Sequence, residues 1–383
     1  MFIPFNKPCI AGHETEYVKA AVESGKISGD GTFTHRCHSF FEQRYGFRKA
    51  LLTTSCTDAL EMAAILIEPQ DGDEVIMPSY TFVSTANAFV LRGAKIVFAD
   101  SQEVTPNIDV AKIESLISPR TKALVVVHYA GVACDMDPIL DLASKHNLFV
   151  IEDAAQAIDS FYNGKPLGSL GHLATFSFHE TKNVTSGEGG MLVVNDERFL
   201  NRAEIIREKG TNRSAFFRGE VDKYGWLDIG SSFLPSDIIA AFLYAQLENL
   251  DTIQYKRKEL WELYYRRLKP LEEKNLAELP YLPGYATNNG HMFYIVCTSL
   301  EERTALIQDL NRNGINAVSH YVSLHKSPFY EHKHDGRKLP NADRYADCLV
   351  RLPMYYELAE DDVERIVQTI FEFYSRIHPK DVV

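Results

Sequence analysis

The sequence Val150-Ile151-Glu152-Asp153-Ala154-Ala155-Gln156 decides the fold class of this 383-residue chain. It completes an apolar run without polar alternation, which is typical of a strand buried on both faces, and the run ends abruptly at Asp153. A second apolar strand, Ala174–Phe178, runs into a polar turn that carries Lys182. In open α/β sheets ligands lie beyond the carboxyl ends of the strands, so we expect Asp153 to face a ligand.

Short apolar runs alternate with amphipathic stretches from Thr53 to about Val194. This alternation predicts a mostly parallel sheet covered by crossover helices, which is an α/β domain. The other predicted strands are Glu74–Met77, Lys95–Ala99, Ala123–His128 and Met191–Val194. The predicted helices are Cys56–Leu66, Ser84–Arg92, Val110–Ile117, Pro138–His146 and Glu197–Glu208.

A long helical pattern, Asp237–Glu272, follows the predicted sheet. Its charge-rich second half, Lys256–Lys269, predicts a solvated linker helix. A strand (Met292–Cys297) and two helices (Glu301–Asn313 and Glu360–Ile377) then indicate a smaller α+β domain. We therefore predict a large domain over residues 12–250 and a small C-terminal domain over residues 251–383, joined by residues 1–11.

The composition excludes several classes of protein. A net charge of -12 and a pI of about 5.6 argue against nonspecific binding of nucleic acid or membrane surfaces. The six cysteines are scattered without a CxxC pair, which favours reduced thiols over disulfides or a zinc site. The first residues resemble no signal peptide and no apolar run is long enough to cross a membrane, so we expect a cytoplasmic protein.

A carboxylate at Asp153 and an amine at Lys182 suit an enzyme that holds pyridoxal 5′-phosphate (PLP). The lysine would form a Schiff base with the cofactor, and the carboxylate would keep the pyridine nitrogen protonated. Each residue also has an ordinary explanation. Asp153 can cap the turn that follows it, and Lys182 can be a surface lysine.

The segment Thr53–Leu60 is a hydroxyl-rich turn that opens a predicted helix. Backbone amides at a helix N-terminus, together with hydroxyl groups, form a cradle for phosphate. An ordinary helix N-cap would explain the same residues. Ser177 can add another hydroxyl, and the glycine-containing run Gly187–Gly190 tightens the turn that follows Lys182.

Taken in chain order, these motifs resemble the DegT/StrS-type nucleotide-sugar aminotransferases, which are PLP enzymes of aminotransferase fold type I. The resemblance covers nearly the whole chain and is carried by Ser55–Leu60, Gly72–Ile76, Pro78–Ala88, Glu152–Gln156 and Ser177–Asn183. It implies a large domain with a mostly parallel mixed sheet and a smaller C-terminal α+β domain. It also implies a homodimer with active sites at the subunit interface.

The resemblance assigns roles to individual residues around the cofactor. It implies that Lys182 is the Schiff-base lysine and proton shuttle, that Asp153 pairs with the pyridine nitrogen, and that Gln156 lies near the phenolic oxygen. Phe82 would stack on the ring. The residues implied to bind the phosphate are Ser55, Cys56, Thr57 and Ser177. In the family a glycine usually stands where this chain has Cys56, for which we expect simple packing.

Further residues are implied to contact the substrate or the neighbouring subunit. His320, Tyr321 and His325 match a motif near the sugar. The candidates in loops are Lys26, Ser28 and Arg213, of which Arg213 could meet a diphosphate or simply be solvated. The family usually has a Gly-x-Asn-x-Arg stretch whose Asn reaches the partner's cofactor phosphate, and here Ser231 and Phe233 occupy the Asn and Arg positions. Ser231 could still donate to that phosphate.

The implied reaction is a two-stage amino transfer from L-glutamate to C4 of a 4-keto-6-deoxy sugar nucleotide. The expected substrate is dTDP-4-dehydro-6-deoxy-D-glucose, and the expected product is dTDP-4-amino-4,6-dideoxy-D-galactose. The alternatives are a C3 aminotransferase, a PLP-dependent dehydratase and a noncatalytic binding protein. Lys182 argues against the dehydratases, which have histidine in its place. A zinc hydrolase would need the irregularly spaced residues His320, His325, His332 and His334.

Overall fold

The strand that ends in Asp153 lies at the centre of a seven-stranded sheet in the computed structural model, which describes residues 2–10 and 12–379. The strands of these residues are β1 (Ala50–Thr53), β2 (Glu74–Pro78), β3 (Lys95–Ala99), β4 (Thr121–Val127), β5 (Phe149–Asp153), β6 (Phe161–Tyr162), β7 (Lys165–Pro166), β8 (Leu173–Ser177), β9 (Gly190–Val194), β10 (Phe293–Val296), β11 (Val318–Ser319) and β12 (Leu349–Leu352). The strand order of the main sheet is β1-β9-β8-β5-β4-β2-β3. Within the described residues of this main sheet, only β9 runs antiparallel to its neighbours.

Helices cover both faces of this sheet and continue into the C-terminal part. The α-helices of the described residues are α1 (Glu14–Glu23), α2 (Thr32–Tyr45), α3 (Cys56–Ile67), α4 (Val83–Val90), α5 (Val110–Ile113), α6 (Met136–His146), α7 (Leu200–Arg207), α8 (Arg213–Phe217), α9 (Asp237–Glu248), α10 (Leu250–Glu273), α11 (Leu300–Arg312), α12 (Pro340–Cys348) and α13 (Glu360–Ile377). Short 3₁₀ helices lie at Glu114–Leu116, Tyr129–Gly131, Glu197–Phe199 and Leu324–Lys326. No helix in the described ranges is both long enough and apolar enough to span a bilayer.

The parallel strands bring their carboxyl ends to one edge of the sheet. Asp153 of β5 pairs with Thr175 of β8, so the segments that follow these two strands emerge side by side. The buried and largely apolar sequences of β4, β5 and β9 allow helices to pack on both faces. This arrangement is what places Asp153 and the turn of Lys182 near each other.

The C-terminal part forms a smaller sheet with the order β10-β12-β11. One face of this sheet packs with α10, α11 and α13, while the other face packs against the large sheet domain through residues such as Tyr294 and Leu349. Ile3 forms a β-bridge with Ile315 and is buried in this smaller core. The N-terminal residues thus contact the small domain, whose exact boundaries stay a prediction.

The sequence-based prediction for the segment Asp237–Glu272 was wrong in two respects. Asp237–Glu272 was predicted as one helix, but α9 ends at Glu248 and α10 starts at Leu250. The second half of that pattern is also not a solvated linker. Trp261 and Tyr264 on α10 are buried in the small core, because the charged residues occupy the opposite face of the helix.

A buried carboxylate next to Asp153 braces the central strand. The Oε1 of Glu152 accepts hydrogen bonds from the backbone N–H groups of Leu170 and Gly171, at 2.8 and 2.6 Å. Its Oε2 accepts from Gly168 N–H at 2.8 Å and from His128 Nε2 at 3.0 Å. The His128 Nδ1 accepts a backbone N–H on its other side, so the ring proton lies on Nε2. Burial opposes ionisation, but these donors lower the pKa of Glu152.

We expect Glu152→Gln to lower the free energy of unfolding by about 3 kcal/mol, because an amide NH₂ would face two of the four donors that the carboxylate now accepts. Urea unfolding followed by circular dichroism measures the change. The exposed Glu197 gives a matched control, since Glu197→Gln should change stability by less than about 0.5 kcal/mol. Equal stabilities of the two variants would contradict the structural role of Glu152.

Candidate active site

A cavity of about 420 Å³ opens at the carboxyl ends of β5 and β8. It brings together ten of the residues that the sequence singled out: Ser55, Cys56, Thr57, Phe82, Asp153, Gln156, Ser177, Lys182, His320 and Tyr321. These side chains come from both domains. The cavity therefore lies where the small domain packs against the edge of the large sheet.

Asp153 is buried at the floor of the cavity and is held on both carboxylate oxygens. Its Oδ1 accepts the Ala155 N–H at 3.2 Å, and its Oδ2 accepts the hydroxyl of Thr85 at 2.7 Å. Burial raises the pKa of this carboxyl group, although the two hydrogen bonds and the charge of Lys182 oppose the shift. Asp153 thus caps the following turn and also lines the ligand cavity. Thr85 in the first turn of α4 was not predicted as a site residue.

Lys182 lies in the turn after β8, closed by a 2.9 Å hydrogen bond from its backbone N–H to the carbonyl of His179. Its side chain lines the cavity, which rules out a surface lysine. Burial, helped by the positive charge of Arg351, lowers the pKa of the Lys182 amine to about 8. Much of the amine is therefore neutral and nucleophilic a little above neutral pH.

The lowered pKa predicts how the apoenzyme takes up its cofactor with pH. Only the neutral amine attacks an aldehyde, so the rate of covalent PLP capture should rise about tenfold per pH unit below pH 8 and level off above it. Stopped-flow absorbance of apoenzyme mixed with PLP measures this rate. A lysine with an ordinary pKa would give the same curve shifted to higher pH by about 2 units. That result would contradict a pKa lowered by burial.

The N-terminus of α3 forms a hydroxyl-lined turn in the wall of the cavity. The Ser55 Oγ accepts the Asp58 N–H at 3.1 Å, which leaves its own O–H free to donate to a ligand. The Thr57 hydroxyl contacts Ser84 Oγ at 2.8 Å. Backbone N–H groups and the helix dipole add to these donors. Burial raises the pKa of the Cys56 thiol, so the thiol stays protonated and the side chain contributes packing contacts only.

Gly190 at the start of β9 lets the strand approach this turn closely. A Cβ at Gly190 would lie 2.3 Å from the Ser55 carbonyl carbon and 2.4 Å from the Cys56 nitrogen. Both neighbours are backbone atoms and cannot rotate away. The position of the Ser55 turn therefore requires a residue without a side chain at Gly190.

We expect Gly190→Ala to displace the Ser55 turn and to raise the dissociation constant of PLP about 10- to 100-fold, because the turn's donors lose their alignment. Fluorescence titration of the apoenzyme with PLP measures the constant. Gly284→Ala is the control, since a Cβ at Gly284 meets no atom within 4 Å. Unchanged PLP affinity in a folded Gly190→Ala variant would remove the Ser55 turn from the phosphate site.

His320 and Tyr321 bring the small domain to the cavity. Burial, with the charges of Arg351 and Lys182, lowers the pKa of His320 to about 2, so its imidazole is neutral. Tyr321 adopts a φ of 41°, a left-handed conformation that costs free energy for a non-glycine residue. The hydroxyl of Tyr321 accepts a 3.2 Å hydrogen bond from Gln156 Nε2. The two domains are thus joined by direct contact within the site.

Five of the predicted site residues do not reach this cavity. The predicted contact of His325 with the sugar is corrected by the structure. Its ring is buried between Asp343 and Ser79, whose Oγ lies 2.8 Å from Nδ1. The side chain is 5% exposed and is not among the residues that line the cavity. The other four, Lys26, Ser28, Arg213 and Ser231, lie elsewhere on the surface of the same chain. Lys26 and Arg213 line a second cavity of about 690 Å³.

Two of the histidines of the C-terminal part, His325 and His334, lie side by side with ring centroids 5.1 Å apart, whereas His332 does not join them. His332 is 89% exposed on its side chain, whereas His325 and His334 are buried. Within residues 2–10 and 12–379 no group of three or more His, Cys, Asp or Glu side chains could hold a metal ion. The structure gives no support to the zinc-hydrolase alternative.

The donor set of the cavity fits PLP. A phosphate would meet the Ser55 turn, and an aldehyde carbon would meet the Lys182 amine. Within the described residues the hydrogen bonds to Asp153 come from neutral groups only, so this buried carboxylate has room for a cationic partner such as a protonated pyridine nitrogen. Phe82, 54% exposed, offers an aromatic face at the cavity.

Comparison with known proteins agrees with this geometry. The profile of the DegT/DnrJ/EryC1/StrS aminotransferase family matches residues 8–371. The chain belongs to this family. It is 34% identical to the GDP-perosamine synthase of Caulobacter vibrioides, over 95% of this chain and 96% of that protein. It is 33% identical to the spore coat polysaccharide biosynthesis protein SpsC of Bacillus subtilis, over 96% of both chains.

Solved structures of the family have the same fold. The Streptococcus pneumoniae protein Spr1654 in its PLP form superposes with a TM-score of 0.90 and 25% identity, covering 98% of this chain and all of that one. The predicted fold class, a PLP-dependent aminotransferase fold of type I, is confirmed. The chain is a PLP-dependent sugar-nucleotide aminotransferase, and PLP is its cofactor.

Proposed function

We propose that this aminotransferase moves the amino group of L-glutamate to C4 of a 4-keto-6-deoxy sugar nucleotide. The observation that carries the proposal is the shared cavity of Lys182 and Asp153, bordered by the neutral His320. A reactive lysine, rather than histidine, supports amino transfer over the elimination of water. The neutral imidazole and the tyrosine hydroxyl beside it suit a polar, uncharged sugar ring.

The residues divide the work of the reaction. Bound PLP supplies an electrophilic carbon that accepts amines and a ring that withdraws electrons. The Nζ of Lys182 would take and return the proton that amino transfer moves between carbons. The carboxylate of Asp153 would hold a proton at the pyridine nitrogen. The Ser55 turn would anchor the phosphate, and the buried walls of the cavity would exclude bulk water.

For the sugar we favour dTDP-4-dehydro-6-deoxy-D-glucose, with dTDP-4-amino-4,6-dideoxy-D-galactose as the product. The motifs of the sequence resemble those of the transaminase that makes this product for enterobacterial common antigen, a cell-surface polysaccharide, and this resemblance supports the choice. A GDP-linked sugar is the second candidate, because GDP-perosamine synthases are among the relatives. Amination at C3 is the remaining alternative. The cytoplasmic location stays a prediction.

Product analysis with a panel of sugars tests this proposal. The holoenzyme is incubated with L-glutamate and with dTDP-, GDP- and UDP-linked 4-keto and 3-keto sugars. We expect turnover to be fastest with the dTDP-linked 4-keto sugar, and NMR of the product to place the amine at C4 in the galacto configuration. Preference for the GDP-linked sugar or an amine at C3 would replace the proposed substrate.

We also propose a homodimer in which each chain completes the other's site. Lys26, Arg213 and Ser231 lie outside their own chain's cavity, and the segment between the last two exposes apolar side chains. Trp226 is 84% exposed and Phe217 is 69% exposed. Such side chains on one segment are typical of a surface that another subunit covers.

Complementation between two inactive chains tests the shared site. Lys182→Ala lacks the amine, and Arg213→Ala would lack the trans contact with the substrate. If the two residues serve one site from different chains, mixed dimers contain one site with both residues intact, and mixing restores up to about a quarter of the activity. A monomer in light scattering, or no recovery from a mixture shown to contain mixed dimers, would refute the shared site.

A further inference from the structure

Asn183 directly follows Lys182 in the turn after β8, but its side chain is buried outside the cavity. Its Nδ2 donates hydrogen bonds to Oε1 of Gln254 at 2.7 Å and to the backbone carbonyl of Asn289 at 2.9 Å. Because a carbonyl can only accept, these bonds fix the orientation of the amide, and the Asn183 Oδ1 faces Nδ1 of His291 at 2.7 Å. Burial lowers the pKa of His291 far below its usual value, so the ring is neutral and carries its proton on Nδ1.

Asn289 connects the turn of Gln156 to the same hydrogen bonds. Its Nδ2 donates to the backbone carbonyl of Gln156 at 2.8 Å, and its Oδ1 accepts the backbone N–H of His291 at 3.0 Å. The space around this amide is tight, since a Cβ at Gly131 would lie 2.1 Å from the Asn289 Oδ1. Hydrogen bonds therefore run without a break from the residue after Lys182 to the backbone of Gln156, which lines the cavity.

The segment of residues 289–291 is itself anchored on α10. The Nε of Arg257 donates to the Gly290 carbonyl at 3.0 Å, and its Nη2 donates to the His291 carbonyl at 2.7 Å. Gln254 lies on the same helix. Both asparagine amides use their oxygen and their nitrogen, and a buried polar network whose groups are all bonded is rigid. The segment thus provides a fixed support for two turns of the large domain.

We propose that Asn183, His291 and Asn289 form a positioning network. The network holds the Lys182 turn in a fixed place relative to the Gln156 turn. None of its three side chains lines the cavity, so each acts on the reaction only through the turn that it holds. The Lys182 amine must meet a single carbon, and a displacement of about 1 Å in an active site can cost about 100-fold in rate. This role rests on the proposed function of Lys182 and does not depend on which sugar is the acceptor.

Two replacements of His291 test the network while the loss of the ring is the same in both. Asparagine and leucine have nearly the same size, but only asparagine keeps an N–H where Nδ1 stands. At about pH 9.5 the Lys182 amine is neutral, so the rate of covalent PLP capture by the apoenzyme reports alignment. We expect His291→Leu to lower this rate on the order of 30-fold and His291→Asn to stay within about fivefold of the wild type. Equal losses in the two variants would trace the effect to the volume of the ring and overturn the proposal.

Pyridoxine 5′-phosphate separates alignment from cofactor binding, because it has an alcohol in place of the aldehyde and cannot react with an amine. Its dissociation constant, from fluorescence titration of the apoenzyme, should change less than about threefold in His291→Leu. In the holoenzyme both half-reactions should slow by the same factor, since Lys182 moves the proton in each, while the apparent affinity for glutamate is kept. His332→Leu is the control, because the side chain of His332 is 89% exposed.

A double variant that combines Asn183→Ser with His291→Leu measures the coupling between the two residues. If both act through one network, the double variant should lose no more than the more damaging single variant, whereas losses that multiply would overturn the network. Circular dichroism checks the folding of each variant, and Asn183→Ser alone serves if His291→Leu does not fold. Wild-type capture rates in the folded variants would also refute the network. A failure of the proposed function gives a different result, because Lys182→Ala would then capture PLP at the wild-type rate.

Discussion

Replacing Lys182 with alanine should lower kcat by at least ~10⁴-fold, because the variant loses both the nucleophile and the group that moves the proton. The side chain lines the cavity and its lowered pKa suits both tasks. PLP should still bind through the Ser55 turn and the ring contacts, with weaker affinity. Turnover of glutamate and keto sugar, followed by the release of 2-oxoglutarate, measures the loss.

A matched lysine separates this effect from a general loss of positive charge. Lys145 is exposed on α6 and pairs with Glu114, so Lys145→Ala should retain activity within about twofold. Added primary amines such as methylamine should restore a small part of the activity of Lys182→Ala, since they can carry the proton. Turnover of Lys182→Ala within tenfold of the wild-type rate would be incompatible with Lys182 as the catalytic amine.

Much of this site was predictable because its residues follow strands. Apolar runs without alternation identified β5 and β8, and the residue at or just after the end of each strand had to lie at the carboxyl edge. The order of motifs then separated Asp153 and Lys182 from ordinary caps and surface charges. The strand β1 was missed, since the four residues Ala50–Thr53 next to a predicted helix are too few to show a period.

The residues that sequence reasoning missed are defined by the packing of distant segments. Thr85 reaches Asp153 across 68 positions of the chain. Arg351 lies in β12, and its pairing with Tyr294 of β10 and Val318 of β11 is likewise not visible in the sequence. For His325 the sequence predicted a site residue that the structure does not place in the cavity. Its neighbours in sequence lie near the cavity, but its own ring packs beside Ser79.

Asp153→Asn should lower kcat on the order of 10³-fold with little change in folding stability. An asparagine can accept the Ala155 N–H through its carbonyl oxygen, while its NH₂ group donates to Thr85, whose hydroxyl can rotate. The fold therefore keeps its hydrogen bonds. What the variant loses is the negative charge that holds a proton on the pyridine nitrogen, and with it the ring's capacity to withdraw electrons.

The protonation of that nitrogen can be measured directly, which separates the charge effect from a change in shape. ¹⁵N NMR of enzyme loaded with ring-labelled PLP should show a protonated nitrogen in the wild type and an unprotonated one in Asp153→Asn. Thr85→Val is the matched control, because it removes one neutral hydrogen bond to Asp153 and keeps the charge, so the nitrogen should stay protonated and kcat should fall about tenfold or less. A protonated nitrogen and near-normal kcat in Asp153→Asn would mean that the carboxylate only caps the turn, and that another group tunes the cofactor.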